Sequence, residues 1–182
     1  MIYSRLVIKI LNILDFFQQK KIIKLFNNKF SKPIVIFDVG AHYGETIKLF
    51  VKKLNVKKIY SFEASPKNFK ILKTNVLKKK SENILIFNFG LGDKIGESYI
   101  NQTKETSSST INNLNINSKY FKKKLKILNI KDKDSFHHQI PIKLVTLDHF
   151  IEKNSISNID LLKLIPRDMS LMFLKAYQNI IK

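Results

Sequence analysis

The chain contains no cysteine. Disulfides, zinc–thiolate sites and cysteine nucleophiles are therefore excluded. The lack fits a reducing compartment, and a cytoplasmic location is expected. Arginine is nearly missing as well, with only Arg5 and Arg167. Yet Lys and Arg together number 33 against 14 Asp and Glu, a net charge of +19. Such an excess attracts polyanions and acidic surfaces. Proteins that read bases lean on arginine and on stacking aromatics, so no specific nucleic-acid partner is expected. Abundant Lys, Ile and Asn are also what an AT-rich coding sequence produces. No apolar run reaches the ~18–20 residues of a membrane span. The N-terminus carries Lys9 and Asp15 and lacks a small-residue cleavage site, so a signal peptide is not expected.

What is present describes a globular chain of 182 residues, 44% hydrophobic and 11% aromatic. That suits one domain with a real core. Residues 1–30 read as an amphipathic helical segment, with Leu6, Ile10, Ile13, Leu14 and Phe17 at helical spacing and a break near Asn27-Asn28. This segment is expected to pack on the domain; weak contact with a membrane surface is the alternative. Residues 31–182 form the main domain. Ile34 to Phe37 is an all-apolar run, as in strands buried on both faces. Lys58 to Phe62 and Ile84 to Phe87 predict two further strands, with helical periodicity between them. Ser65-Pro66 is a helix start, serine as N-cap and proline at N1. This β-α-β-α-β order implies an α/β fold with a mostly parallel sheet. Gly90 to Ile100 predicts a turn and a short antiparallel excursion. Residues 101–139 read as a long polar loop. Ile142 to Val145 predicts a strand, Leu147 to Lys153 a helix and Asp160 to Leu164 a fourth buried strand.

The chemistry centres on Asp38-Val39-Gly40-Ala41-His42-Tyr43-Gly44, between the first strand and its helix. Gly40 permits a tight turn, and Gly44 lets the helix start lie close to a ligand. Helix N-terminal N–H groups there can hold an anionic group. The spacing is G-x-x-x-G, neither the dinucleotide fingerprint nor a Walker A loop. Glu63 ends the second strand, where a carboxylate can accept both hydroxyls of a ribose. Nicotinamide enzymes share that geometry, so the pair does not by itself choose the cofactor. His42 reads as a polar turn residue rather than a base, His137-His138 as solvated loop, and Asp148 as a helix cap.

The segments IFDVGAHYGETIKLF, IYSFEASPKNFKILKTNV, FNFGLGDKIGE, SSSTINNL, IKLVTLDHFI and IDLLKL occur in an order that resembles the FkbM-type methyltransferases, over roughly residues 34–164. The resemblance implies a Rossmann-like class I methyltransferase fold, S-adenosyl-L-methionine as cofactor, and O-methylation of a hydroxyl on a sugar or similar small-molecule acceptor. It implies that Asp38, Gly40, Ala41, His42 and Gly44 face the methionine end of the cofactor. Glu63 would hold the ribose, and Leu91 would border the adenine. No catalytic residue and no metal ligand is assigned.

The pattern breaks after the fourth strand. The family continues K-[IL]-D-[VT]-x-G-x-E, whereas this chain has Ile165, Asp168 and Ser170 at the Asp, Gly and Glu positions. A one-base slip near Leu164, compensated near Ala176-Tyr177, would account for the whole change; a diverged but genuine sequence is the alternative. Ile165 to Met172 can be written ATA CCC AGG GAT ATG AGC TTG ATG. With a preceding G, the neighbouring frame reads Asp-Thr-Gln-Gly-Tyr-Glu-Leu-Asp, restoring the motif. The fold is therefore expected to be incomplete at its C-terminus, its fourth strand left as a sheet edge, and its activity impaired. The rival readings are a non-catalytic remnant of such a domain and a basic binding module.

Overall fold

The computed structural model describes residues 20–78, 81–103, 118, 123, 137–164 and 172–174. The expectations placed on Leu6 to Phe17, on most of the 101–139 loop, and on Ile165, Arg167, Asp168, Ser170 and Ala176-Tyr177 lie outside these residues.

Strand β1 (Ile34–Val39) is flanked by two parallel neighbours, β2 (Val56–Phe62) and β7 (Leu161–Leu164). β3 (Ile84–Phe87) pairs parallel with β2, and β8 (Met172–Leu174) pairs antiparallel with β7, giving the order β3-β2-β1-β7-β8. The helices between strands are α2 (Glu45–Lys53) and α3 (Pro66–Leu77). Helix α1, residues 20–29, precedes β1, and α4 (Leu147–Lys153) precedes β7. This is a Rossmann-like α/β fold.

Alternation along the strands sorts the core into two layers. Ile34, Ile36, Ile59, Ile84 and Leu161 meet Ile23 and Phe26 of α1, Ile47 and Phe50 of α2, and Leu72 of α3. Their neighbours Phe37, Tyr60 and Phe62 point to the other face, against Phe150 and Ile151 of α4. Phe150 sits edge-on to Phe62 and Phe87, with both centroids at 4.9 Å, the favoured approach for aromatic pairs.

Several local expectations need correction. The helix of residues 20–29 runs straight through Asn27-Asn28, because Ile23 and Phe26 on its buried face hold it against the sheet. The strand after Gly96 finds no local partner. β5 (Gly96–Thr103) pairs antiparallel with β6 (His137–Thr146), and β4 (Gly90–Gly92) pairs parallel with β6, making a second, three-stranded sheet. His137-His138 therefore begin a strand. The α4 cap is Thr146, whose hydroxyl accepts from His149 N–H, and Asp148 lies exposed in the first turn. The fourth parallel strand is not an edge, since β8 covers it.

Candidate cofactor site

The loop between β1 and α2 needs left-handed backbone at three positions, Gly40 (φ 76°), His42 (φ 51°) and Gly44 (φ 88°). Gly40 and Ala41 donate N–H to the Phe62 carbonyl at 2.8 and 2.9 Å, tying the loop to the end of β2. Asn75 of α3 donates to the Tyr43 carbonyl at 2.9 Å. Gly44 is required twice over. Its φ disfavours a side chain, and a Cβ would stand 2.9 Å from Leu72 Cδ1, a fully buried atom of α3. Gly44→Ala is therefore expected to lower stability by about 1–3 kcal/mol, read from the midpoint of urea unfolding. An unchanged midpoint would show that the loop relaxes freely.

Glu63 lies one residue beyond β2 and is 6% exposed. Its Oε2 accepts from the His42 backbone N–H at 2.8 Å, so the two sequence-predicted elements meet directly. Its Oε1 accepts from Ser65 N–H at 3.0 Å and Asn68 Nδ2 at 3.4 Å. Ser65 also caps α3 as expected, accepting from Asn68 N–H. Asn88 donates to the Glu63 carbonyl at 2.9 Å. Burial pushes the Glu63 carboxyl above its ordinary value, and the donors from Ser65, His42 and Asn68 offset only part of that. One lone pair of Oε2 stays open for a further donor.

Asp38 does not face the surface of the loop. One rung of the sheet aligns Ser61, Asp38 and Lys163 on β2, β1 and β7. All three are buried, and Lys163 Nζ lies 2.5 Å from Asp38 Oδ1. The same ammonium donates to the Gly40 carbonyl at 3.3 Å. Asp38 thus anchors a cation that holds the loop from beneath. Lys163, Asn68 and Asn88 escaped the sequence reading. Lys163 stood in view as the K of the strand motif, but its partner is far away in the chain.

The ring of His42 stacks on Tyr43 at 3.7 Å, and its Nδ1 lies 3.3 Å from Glu45 Oε1. Leu91, in β4, is half-buried and packs against the aromatic layer. Beside Glu63 opens a cleft of about 340 Å³. Ala64, Pro66 and Asn88 form one wall, and Glu97 with Pro141, Ile142 and Lys143 forms the other; Leu91 is not part of it. Among the described residues, no three His, Asp or Glu side chains gather as metal ligands.

The chain matches the family described as Methyltransferase FkbM domain over residues 38–164, well over half its length. No curated protein matches it. Among solved structures, FkbM from Methylobacillus flagellatus KT aligns at 16% identity and TM-score 0.45, covering 78% of this chain and 28% of that one. Phosphoethanolamine N-methyltransferase 2 of Haemonchus contortus, solved with S-adenosyl-L-methionine, aligns at 12% and 0.36, covering 81% and 38%. The chain therefore spans under two-fifths of either protein's length. From the span and position of the family match, this chain belongs to the FkbM methyltransferase domain family.

Proposed function

We propose that this chain binds S-adenosyl-L-methionine and transfers its methyl group to a hydroxyl of a sugar or similar metabolite, with impaired turnover. The observation that carries the cofactor reading is the bond from His42 N–H to Glu63 Oε2. It sets an open carboxylate lone pair beside a left-handed glycine loop, where the parallel strands end. The residues fit the group. Gly40 puts no side chain at the start of the loop, Glu63 has one lone pair for a ribose hydroxyl, and the neighbouring cleft has room for a flat base beside Ala64, Pro66 and Asn88. When bound, the cofactor supplies an activated sulfonium methyl.

The chain's own part is positioning. Lys163 and Asp38 fix the loop from below, and Glu63 orients the sugar. Ile165 follows β7 directly, at the place where the family carries Asp. With Ser170 at the Glu position, the carboxylates that the family places near the reacting methyl are absent, and proton removal from the acceptor suffers.

Calorimetric titration of the full chain with S-adenosylhomocysteine tests the binding step. Saturable binding is expected, weakened at least about tenfold by Glu63→Gln, which loses a charged acceptor. Failure to bind S-adenosylhomocysteine, together with binding of a nicotinamide dinucleotide, would transfer the site to an oxidoreductase. The pH dependence has a definite sign. Glu63 must be ionised to offer its open Oε2 lone pair to a ribose hydroxyl, so affinity should fall as pH drops through a pKa that burial raises above the ordinary carboxylate value. Its contribution to folding runs the other way. A raised folded pKa gives stability that is complete below the unfolded value and lost as pH rises through the folded one. Affinity that is level from neutral pH down to 4.5 would remove Glu63 from the site.

A further inference from the structure

Among the described residues, charge is distributed unevenly over the surface. Helices α1, α2 and α3 form one layer over the sheet. Phe26 meets Phe50 at 6.5 Å, and Gly44 abuts Leu72. Each helix presents at least three exposed lysines, among them Lys24 on α1, Lys48 and Lys52 on α2, and Lys70 and Lys73 on α3. Across residues 20–78 the only exposed acid is Glu45, because Asp38 and Glu63 are buried. Among the other described residues with an assigned exposure, five exposed acids stand against four exposed lysines.

The basic layer also exposes apolar side chains. Leu25 on α1 is 62% exposed, and Leu77 on α3 is 65%. Nothing in a phosphate backbone rewards an exposed leucine, whereas the boundary between lipid headgroups and acyl chains does. No described residue of this layer is an arginine, and none of its aromatic side chains is exposed, so the usual means of stacking on bases is missing.

We propose that the outer face of the α1–α2–α3 layer docks on an anionic lipid bilayer. Its lysines neutralise acidic headgroups, and Leu25 and Leu77 enter the interface. None of its exposed lysines or leucines lines the cleft beside Glu63, so this docking stands independently of the cofactor reading. Each lysine near such a surface contributes on the order of a fivefold gain in binding, screened over about 10 Å at 0.1 M salt.

The full chain should be floated with vesicles of phosphatidylcholine containing about 30% phosphatidylserine, and with phosphatidylcholine alone, at 0.1 and 0.5 M salt. Binding is expected only to the anionic vesicles and should fall steeply at the higher salt. The triple variant Lys48→Glu, Lys52→Glu, Lys73→Glu should lose about 100-fold. Lys94→Glu with Lys153→Glu, on the balanced part of the surface, should stay within about threefold. Leu25→Ser with Leu77→Ser leaves the charge unaltered and should still weaken binding several-fold. These positions are all exposed, and circular dichroism confirms folding of each variant. The proposal is overturned if the full chain ignores anionic vesicles, or if the control pair loses as much as the triple variant. It is equally overturned if a short oligonucleotide binds more tightly than the vesicles and is insensitive to the leucine changes.

Discussion

Lys163→Ala should destabilise the fold by about 3–5 kcal/mol, the range for removing one partner of a buried ion pair. Lys163 is 1% exposed and Asp38 is 0%. Without the ammonium, the Asp38 carboxyl is left buried without its partner, with Ser61 as its rung neighbour. Folded domains are stable by only about 5–15 kcal/mol, so the variant should unfold at markedly lower urea. Replacing both partners, Asp38→Asn with Lys163→Met, should recover much of the loss, because an uncharged pair has far less to desolvate. The double variant should still bind S-adenosylhomocysteine less well than the parent, since Gly40 has lost the cation beneath its carbonyl. Urea denaturation of the two single variants and the double variant measures the coupling. A single-variant loss below about 1 kcal/mol, the size typical of exposed pairs, would show that water reaches this rung.

Restoring the two carboxylates of the family motif should have the largest effect on turnover. Ile165→Asp with Ser170→Glu is expected to raise methyl transfer by about 10²–10⁴-fold, the usual worth of a positioned acid–base group. Affinity for S-adenosylhomocysteine should change less than about threefold, because Glu63 and the Gly40–Gly44 loop are untouched. The readout is S-adenosylhomocysteine released from S-adenosyl-L-methionine when an extract of small metabolites is added. Equal release by parent and variant would separate these two positions from the chemistry. The gene tests the same idea without protein. Across codons 164–172 the neighbouring frame must read Asp-Thr-Gln-Gly-Tyr-Glu, and any other reading ends the frame-slip explanation.

The loop prediction at Gly44 and the titration of Glu63 probe the same neighbourhood from the sides of backbone and charge. A chain that binds the donor but lacks those two carboxylates would transfer little. Calorimetry and the turnover assay distinguish that state from an empty fold.

What the sequence by itself determined was local. Apolar runs at Ile34, Ile59 and Ile84, separated by helical spacing, yielded the parallel half of the sheet, because a strand buried on both faces can tolerate few polar residues. Ser65-Pro66 marked its helix start through chemistry contained within four residues. Gly40, Gly44 and Glu63 were legible because a turn with positive φ and a strand-end acid leave their trace at fixed offsets. Tertiary structure alone decided the rest. Asp38 and Lys163 stand 125 residues apart and meet only because β1 and β7 are neighbours. β5 waits for β6, with Ile100 opposite Ile140, since an edge is satisfied by whichever strand the fold delivers. Thr146 rather than Asp148 caps α4 because β6 runs right up to it. Among the described residues, the lysines that share the α1–α2–α3 layer have the same origin. Sequence records how many charges there are, whereas packing decides which of them share a face.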